Sequence, residues 1–290
     1  MSHDDSLAHL TVLSLTPPQL VDVAARTGYD YVGMRITRVT PEEVLYDLAR
    51  DRALMRETKA RLADTGLAVL DVELFRMDPS LEPEHFVPEL HATAELGARH
   101  IIAQLPDPDR ERATARFARL CELANPLGIS VSLEFPHWTE TGNLAEAARV
   151  VRAVDRPNAG ILVDMLHFGR SDSGLDELAK LPREWFRFAH VCDAAREVPS
   201  TMAGIIRTAR DERLFPGEGG MPIREILARM PQNIPYALEI PKVAMTRAIG
   251  PEDVARLALL VAKSHFETAD DGGALEARQL ATARMAVSAR

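Results

Sequence analysis

The sequence predicts a (β/α)8 barrel, and three observations carry that expectation. Short apolar runs alternate with longer amphipathic segments at an even spacing along the chain. Eight such pairs fit within about 260 residues, the size of one barrel. Several of the runs are almost continuously apolar, as expected of parallel strands buried on both faces. A doubly wound sheet is the structural rival. It would usually carry a Gly-rich phosphate loop after the first strand, and Leu13-Ser-Leu-Thr-Pro-Pro18 is not one.

The elements follow in order. Strands are expected near 9–13, 30–35, 67–74, 100–105, 129–135, 160–166, 186–192 and 236–240. Thr16 caps a first helix that Pro17 and Pro18 open and Gly28 ends. Thr40-Pro41, with Glu42 and Glu43 in the first turn, opens a second. Further helices are expected near 83–97, 109–127, 142–154, 174–180, 222–230 and 251–266. The connection after strand seven, Asp193 to Gly220, is long, and a lid or substrate-recognition segment is expected there. The barrel domain spans 1–267. Ala269-Asp-Asp-Gly-Gly273 then breaks the pattern, and the Ala-rich remainder of 268–290 is expected to be an extra C-terminal helical tail.

Bulk properties bound the function. The chain has 290 residues, 46% hydrophobic and 27% charged, an ordinary balance for a soluble globular protein. Nothing approaches about 18 consecutive apolar residues, so no transmembrane helix is expected. The start, MSHDDSLAHL, lacks the basic and apolar regions of a secretory signal. Cys121 and Cys192 form neither a C-x-x-C pair nor a disulfide framework, which fits a reducing compartment. A cytoplasmic protein is expected. The net charge of −9 and the lack of a Lys/Arg block point away from nucleic-acid and membrane partners. A small-molecule substrate is the expected partner, and exposed barrel helices leave room for a homo-oligomer.

Four expected strand ends carry metal-type side chains: Glu134, Asp164, His190 and Glu239. In a barrel of this kind the C-terminal strand ends meet at one face, so residues distant in sequence converge. Each alone would be an ordinary loop-contacting residue. Together, three carboxylates after buried runs need a cation, because unpaired they would repel one another. Oxygen-rich ligation with one imidazole suits one fairly hard divalent metal ion, Mn²⁺ first, with Mg²⁺, Co²⁺ or Zn²⁺ as options.

Leu133-Glu134, Val163-Asp-Met-Leu-His167, His190-Val-Cys-Asp193 with Arg196, Phe215-Pro-Gly-Glu-Gly219 and Leu238-Glu-Ile-Pro241 carry a family likeness. Over roughly residues 9–266 the chain resembles the xylose-isomerase-like barrels. Within them it is similar to the sugar phosphate isomerase/epimerase family, with its ketose 3-epimerases, inosose dehydratases and 3-dehydroshikimate dehydratases. The resemblance implies that Glu134, Asp164, His190 and Glu239 are metal ligands. It also implies that Glu134 and Glu239 move protons on opposite faces of the substrate, and that His167 and Arg196 contact substrate or support the ligands. A metal chelated by a ketone oxygen and its neighbouring hydroxyl acidifies the adjacent C–H and stabilises the enediolate. A carboxylate beside that carbon takes the proton. Its return gives epimerisation or isomerisation, and loss of a β-hydroxyl gives dehydration. Isomerase or epimerase is the expected activity and dehydratase the alternative.

Arg35, Glu73 and Gln104 end strands two, three and four and are expected at the mouth, with Trp138 as an apolar wall for a sugar or cyclitol ring. Arg76, His137, Arg210 and Lys242 are also expected nearby, and the cations among them point to an acidic substrate. His167 is placed to donate to a substrate oxygen or to a departing hydroxyl, and Arg196 to pin a substrate oxygen with its planar fork. Two rivals remain. The abasic-site endonuclease relative needs three zinc ions, for which strands three and four offer only Glu73 and Gln104, and 193–220 has no histidine. A non-catalytic binding barrel has no need for both glutamates.

Overall fold

The computed structural model describes residues 3–267. The 268–290 tail expected from the sequence lies outside the described residues. Eight parallel strands close a barrel in chain order: β1 Asp5–Leu7, β2 Tyr31–Arg35, β3 Ala68–Arg76, β4 His100–Gln104, β5 Ser130–Glu134, β6 Ala159–Asp164, β7 Ala189–Val191 and β8 Tyr236–Leu238. The helices are α1 Pro17–Thr27, α2 Arg52–Thr65, α3 Val87–Glu95, α4 Arg110–Ala124, α5 Leu144–Val154, α6 Met165–Gly169, α7 Leu175–Leu178, α8 Met202–Asp211, α9 Ile223–Leu227, α10 Val243–Ile249 and α11 Pro251–Glu267.

Local chemistry sets these elements. Thr16 and Gln19 form a capping box at α1, and Gly28 ends it in the left-handed region at φ 91°. Asp109, Asn143 and Thr201 cap α4, α5 and α8 through their side chains. β5 and β6 are buried along their whole length. The seam closes where β1 pairs with β8, Asp5 opposite Tyr236 and Leu7 opposite Leu238. Thr11 reinforces it: its hydroxyl donates to Leu238 O at 2.7 Å and accepts from Ile240 N at 2.8 Å.

Two expectations are corrected. The first strand is Asp5–Leu7, not 9–13; His9–Val12 is a 3-10 turn. The polar Asp5-Ser6 lacks an apolar signature, yet Ser6 and Leu7 pair with Tyr31 and Val32. The apolar His9–Val12 run turns so that His9 reaches two backbone partners: Arg35 N donates to its Nδ1 at 3.0 Å and its Nε2 bonds Leu15 O at 2.9 Å. The second helix starts at Arg52, not Thr40. Glu43, read as a first-turn acid, instead accepts from Val39 N and pairs with Arg35, while Asp51 takes the cap by accepting from Ala53 N and Leu54 N. The long connection after β7 holds α8.

The main apolar core lies between strands and helices, with residues such as Val131, Leu133, Phe117 and Ala258. A smaller cluster of Leu70, Leu74, Ile102, Leu162, Phe188 and Ala237 packs together apart from it. Polar side chains collect at the C-terminal ends of the strands.

Candidate metal centre and substrate cleft

Glu134 ends β5, Asp164 ends β6, His190 is central in β7 and Glu239 follows β8 directly. All four are buried, and one donor atom from each lies within 4.8 Å of the others. His190 Nδ1 is 3.2 Å from Glu239 Oε2 and 3.8 Å from both Glu134 Oε1 and Asp164 Oδ2. Neither ring nitrogen of His190 has a hydrogen-bond partner among the described residues, although both are buried. A buried imidazole nitrogen turned toward three carboxylates and not spent on a hydrogen bond is suited to ligating a divalent ion. Among the described residues this is the one such group of side chains.

Protein donors hold several of the carboxylate oxygens, two of them the same oxygens that face His190. Gln104 Nε2 donates to Glu134 Oε2 at 2.5 Å, which turns Oε1 toward His190. Asp164 Oδ1 accepts from His167 N at 3.0 Å, capping α6. Arg213 is the residue that sequence reasoning missed. Its guanidinium is buried, 2.5 Å from Asp164 Oδ2 and 2.8 Å from Glu239 Oε2. Antiparallel bridges of Asp193 with Leu214 and of Glu212 with Lys242 fix it there. Asp193 anchors that segment, its carboxylate accepting from the backbone N–H of Ala194, Gly217, Gly219 and Met221. A side chain at Gly219 would run into the Ala194 carbonyl and the Asp193 carboxylate, which explains the glycine in Pro216-Gly-Glu-Gly219. The signal was therefore present in that turn, but only the fold shows that it aims Arg213.

The electrostatics follow from this packing, taken among the protein groups alone. Burial, then the charge of Glu239, pushes Glu134 up to about 7. Burial disfavours a charged His190, but Glu239, Glu134 and Asp164 outweigh it and raise the imidazole to about 10. Burial opposes ionisation of Glu239 too, yet His190 and Arg213 hold it well below the usual carboxylate range. Asp164 is lowered against burial chiefly by Arg213 and His167.

A cleft above these groups is lined by Arg35, Glu73, Gln104, Trp138, His167 and, from α8, Arg210. Arg35 donates to Glu73 at 3.0 Å and faces Glu43 at 3.4 Å. His167 and His137 approach Nδ1 to Nδ1 at 3.3 Å, and Trp138 packs edge-on against both rings. Burial lowers His167 to about 3 and His137 to about 4, so both are neutral near pH 7. Lys242 instead pairs with Glu218 and lies over Phe215. Arg196, expected against substrate, is exposed and does not line the cleft. It lies along Gly220, because the long connection runs outward after Ala194 before Arg213 returns. No helix among the described residues is long and apolar enough to cross a membrane.

Comparison with known proteins agrees with the architecture. Residues 21–265 match the family described as the xylose isomerase-like TIM barrel. The chain is 22% identical to an inosose isomerase of Bacillus licheniformis, over 69% of this chain and 74% of that protein. It is 26% identical to a 3-dehydroshikimate dehydratase of Pseudomonas aeruginosa over 74% of this chain, but spans only 34% of that longer protein. A solved IOLI protein described with a bound zinc atom superposes with a TM-score of 0.73 at 18% identity, covering 91% of this chain and all of that one, and so shares the fold.

Proposed function

The chain belongs to the xylose isomerase-like TIM barrel family, and from that footing we propose that it is a divalent-metal-dependent isomerase or epimerase of a polyhydroxy-ketone. The observation that carries this reading is the convergence of Glu134, Asp164, His190 and Glu239 within 4.8 Å, buried and facing a cleft. The relatives named as an isomerase and a dehydratase support an enzyme acting on small polyols or keto-acids.

The donor set fits Mn²⁺, Mg²⁺ or Co²⁺, and the zinc named for the IOLI protein keeps Zn²⁺ among the options. Bound there, the ion supplies Lewis acidity toward a carbonyl and its neighbouring hydroxyl. The chain's own residues do the rest. Glu134, with one oxygen held by Gln104, takes a proton from the carbon beside the carbonyl. Glu239 enters from the β8 side and is the second proton carrier, kept ionised by the buried Arg213 guanidinium. Neutral His167 donates to a substrate oxygen, and Trp138 gives the ring an apolar wall. Ala209 and Arg210 of α8 line the cleft on its outer side.

Dehydration of a cyclic keto-acid or cyclitol is the second reading, and the His137–His167 contact favours it. The departing β-hydroxyl leaves as water with the proton that Glu134 has taken from carbon, while neutral His167, in contact with His137, donates a hydrogen bond to that oxygen. Both readings share the first step, so one experiment tests them. Metal-loaded protein is incubated in D2O with ketohexoses, inososes and 3-dehydroshikimate, and deuterium at the carbon next to the carbonyl is followed by NMR. Incorporation or dehydration that vanishes in Glu239→Gln supports the proposal. Unchanged turnover in that variant would rule out the assigned role.

A further inference from the structure

One cation of the cleft has no partner. Arg35 is occupied by Glu73 and Glu43, and Arg213 by Asp164 and Glu239. Arg76, at the end of β3, bonds Asp78 through Nε alone, at 2.9 Å and 3.2 Å to its two oxygens, and no bond engages its terminal nitrogens among the described residues. Arg210, on the last turn of α8, is half-buried and makes no hydrogen bond or ion pair with any described residue. It lines the same cleft as Glu134 and Glu239.

The surroundings of Arg210 do not neutralise it. Burial weakens its hold on the charge, Glu43 supports it, and Arg35 and Arg76 oppose it. Glu43 is itself engaged by Arg35 and by Val39 N. A guanidinium kept half out of water beside two others, with its planar fork unused, is costly unless an anion completes it.

We propose that the substrate carries an anionic oxygen group, carboxylate or phosphate, and that Arg210, aided by the free nitrogens of Arg76, is its specificity-determining receptor at the α8 side of the cleft. This rests on the proposed function for the existence of a substrate, and it narrows the class. The end of the molecule that reacts faces Glu134 and Glu239, and the acidic end faces α8. A neutral ketose or cyclitol would leave the arginine pair uncompensated.

The test compares metal-loaded wild type with Arg210→Gln and with Arg76→Gln. Each is titrated by calorimetry with myo-inosose, fructose, fructose 6-phosphate and 3-dehydroshikimate, and metal content serves as the folding check. Wild type is expected to bind an acid-bearing compound about tenfold or more tighter than its neutral counterpart, the scale of a charge-assisted hydrogen bond. Arg210→Gln is expected to lose that advantage while keeping its metal. Whether 3-dehydroshikimate or fructose 6-phosphate gains decides between carboxylate and phosphate. Equal binding of neutral and acidic compounds by wild type overturns the proposal, as does a preference that survives Arg210→Gln. Arg210-dependent binding without any turnover would sustain this assignment and sink the proposed activity. Turnover of a neutral ketose with no anion preference would do the reverse.

Discussion

At the scale of single residues, Arg213 shows how much an uncharged substitution would disturb. It neutralises Asp164 Oδ2 and Glu239 Oε2 from within the protein. Arg213→Met leaves two buried carboxylates without that donor. We expect the metal-free variant to lose about 3–5 kcal/mol of stability, since removing one partner strands the others. Saturating Mn²⁺ should recover part of the loss by binding the native state alone. Urea unfolding with and without the metal checks both. His190 makes a second residue-level prediction. Raised to about 10, it is protonated at neutral pH in the protein alone, and a ligand nitrogen must be neutral. Metal uptake should therefore release a proton, and apparent affinity should rise by up to about tenfold per pH unit as pH increases toward 10. Below about 7 Glu134 is protonated as well, so the slope should steepen there. Calorimetry in buffers of different ionisation enthalpy counts the protons; a flat profile from pH 6 to 9 would refute the assignment of His190 as ligand. The four ligand candidates were legible in the sequence because each follows an apolar run. Arg213 was not, because its place depends on two bridges made after a long excursion of the chain.

At the scale of elements, the regular βα beat from α3 onward was readable because apolar strands and capped helices repeat there. It failed where polar residues make the strand and apolar residues make the turn. β1 is Asp-Ser-Leu, held by its register with β2 and β8, and no composition rule selects it. His9 explains the turn that follows. Its Nδ1 accepts from Arg35 N, so its proton sits on Nε2 facing Leu15 O, and burial lowers it to about 4. A histidine lowered below its unfolded value of about 6.5 contributes stability above that pH and loses it as pH falls toward 4. His9 alone contributes a slope of up to about 1.4 kcal/mol per pH unit in that window, and His9→Gln should remove that share. Denaturant unfolding at pH 7.5, 6 and 5 measures it. Helix α2 was displaced for a related reason: Thr40-Pro41-Glu42-Glu43 reads as a helix start, yet Glu43 is drawn to Arg35 at the mouth. Asp51→Ala, which removes the cap of α2, should cost about 1 kcal/mol.

At the scale of the whole molecule, the barrel explains why residues 105 positions apart, Glu134 and Glu239, share one site. Parallel strands deliver their C-terminal ends to one face, a cluster of Phe188, Leu162 and their neighbours packs apart from the main core, and α8 adds Ala209 and Arg210 to the lining of the cleft. Burial of the four ligand candidates raises the cost of unpaired charge, so the same packing that closes the barrel creates the demand for a cation. The most direct test of that claim is metal stoichiometry by elemental analysis, on protein stripped with chelator, reloaded with Mn²⁺ and freed of excess ion. One ion per chain in wild type and in Arg196→Ala, and none in His190→Ala, is the predicted result. No retained ion in wild type, or an ion kept undiminished by His190→Ala, would contradict the account.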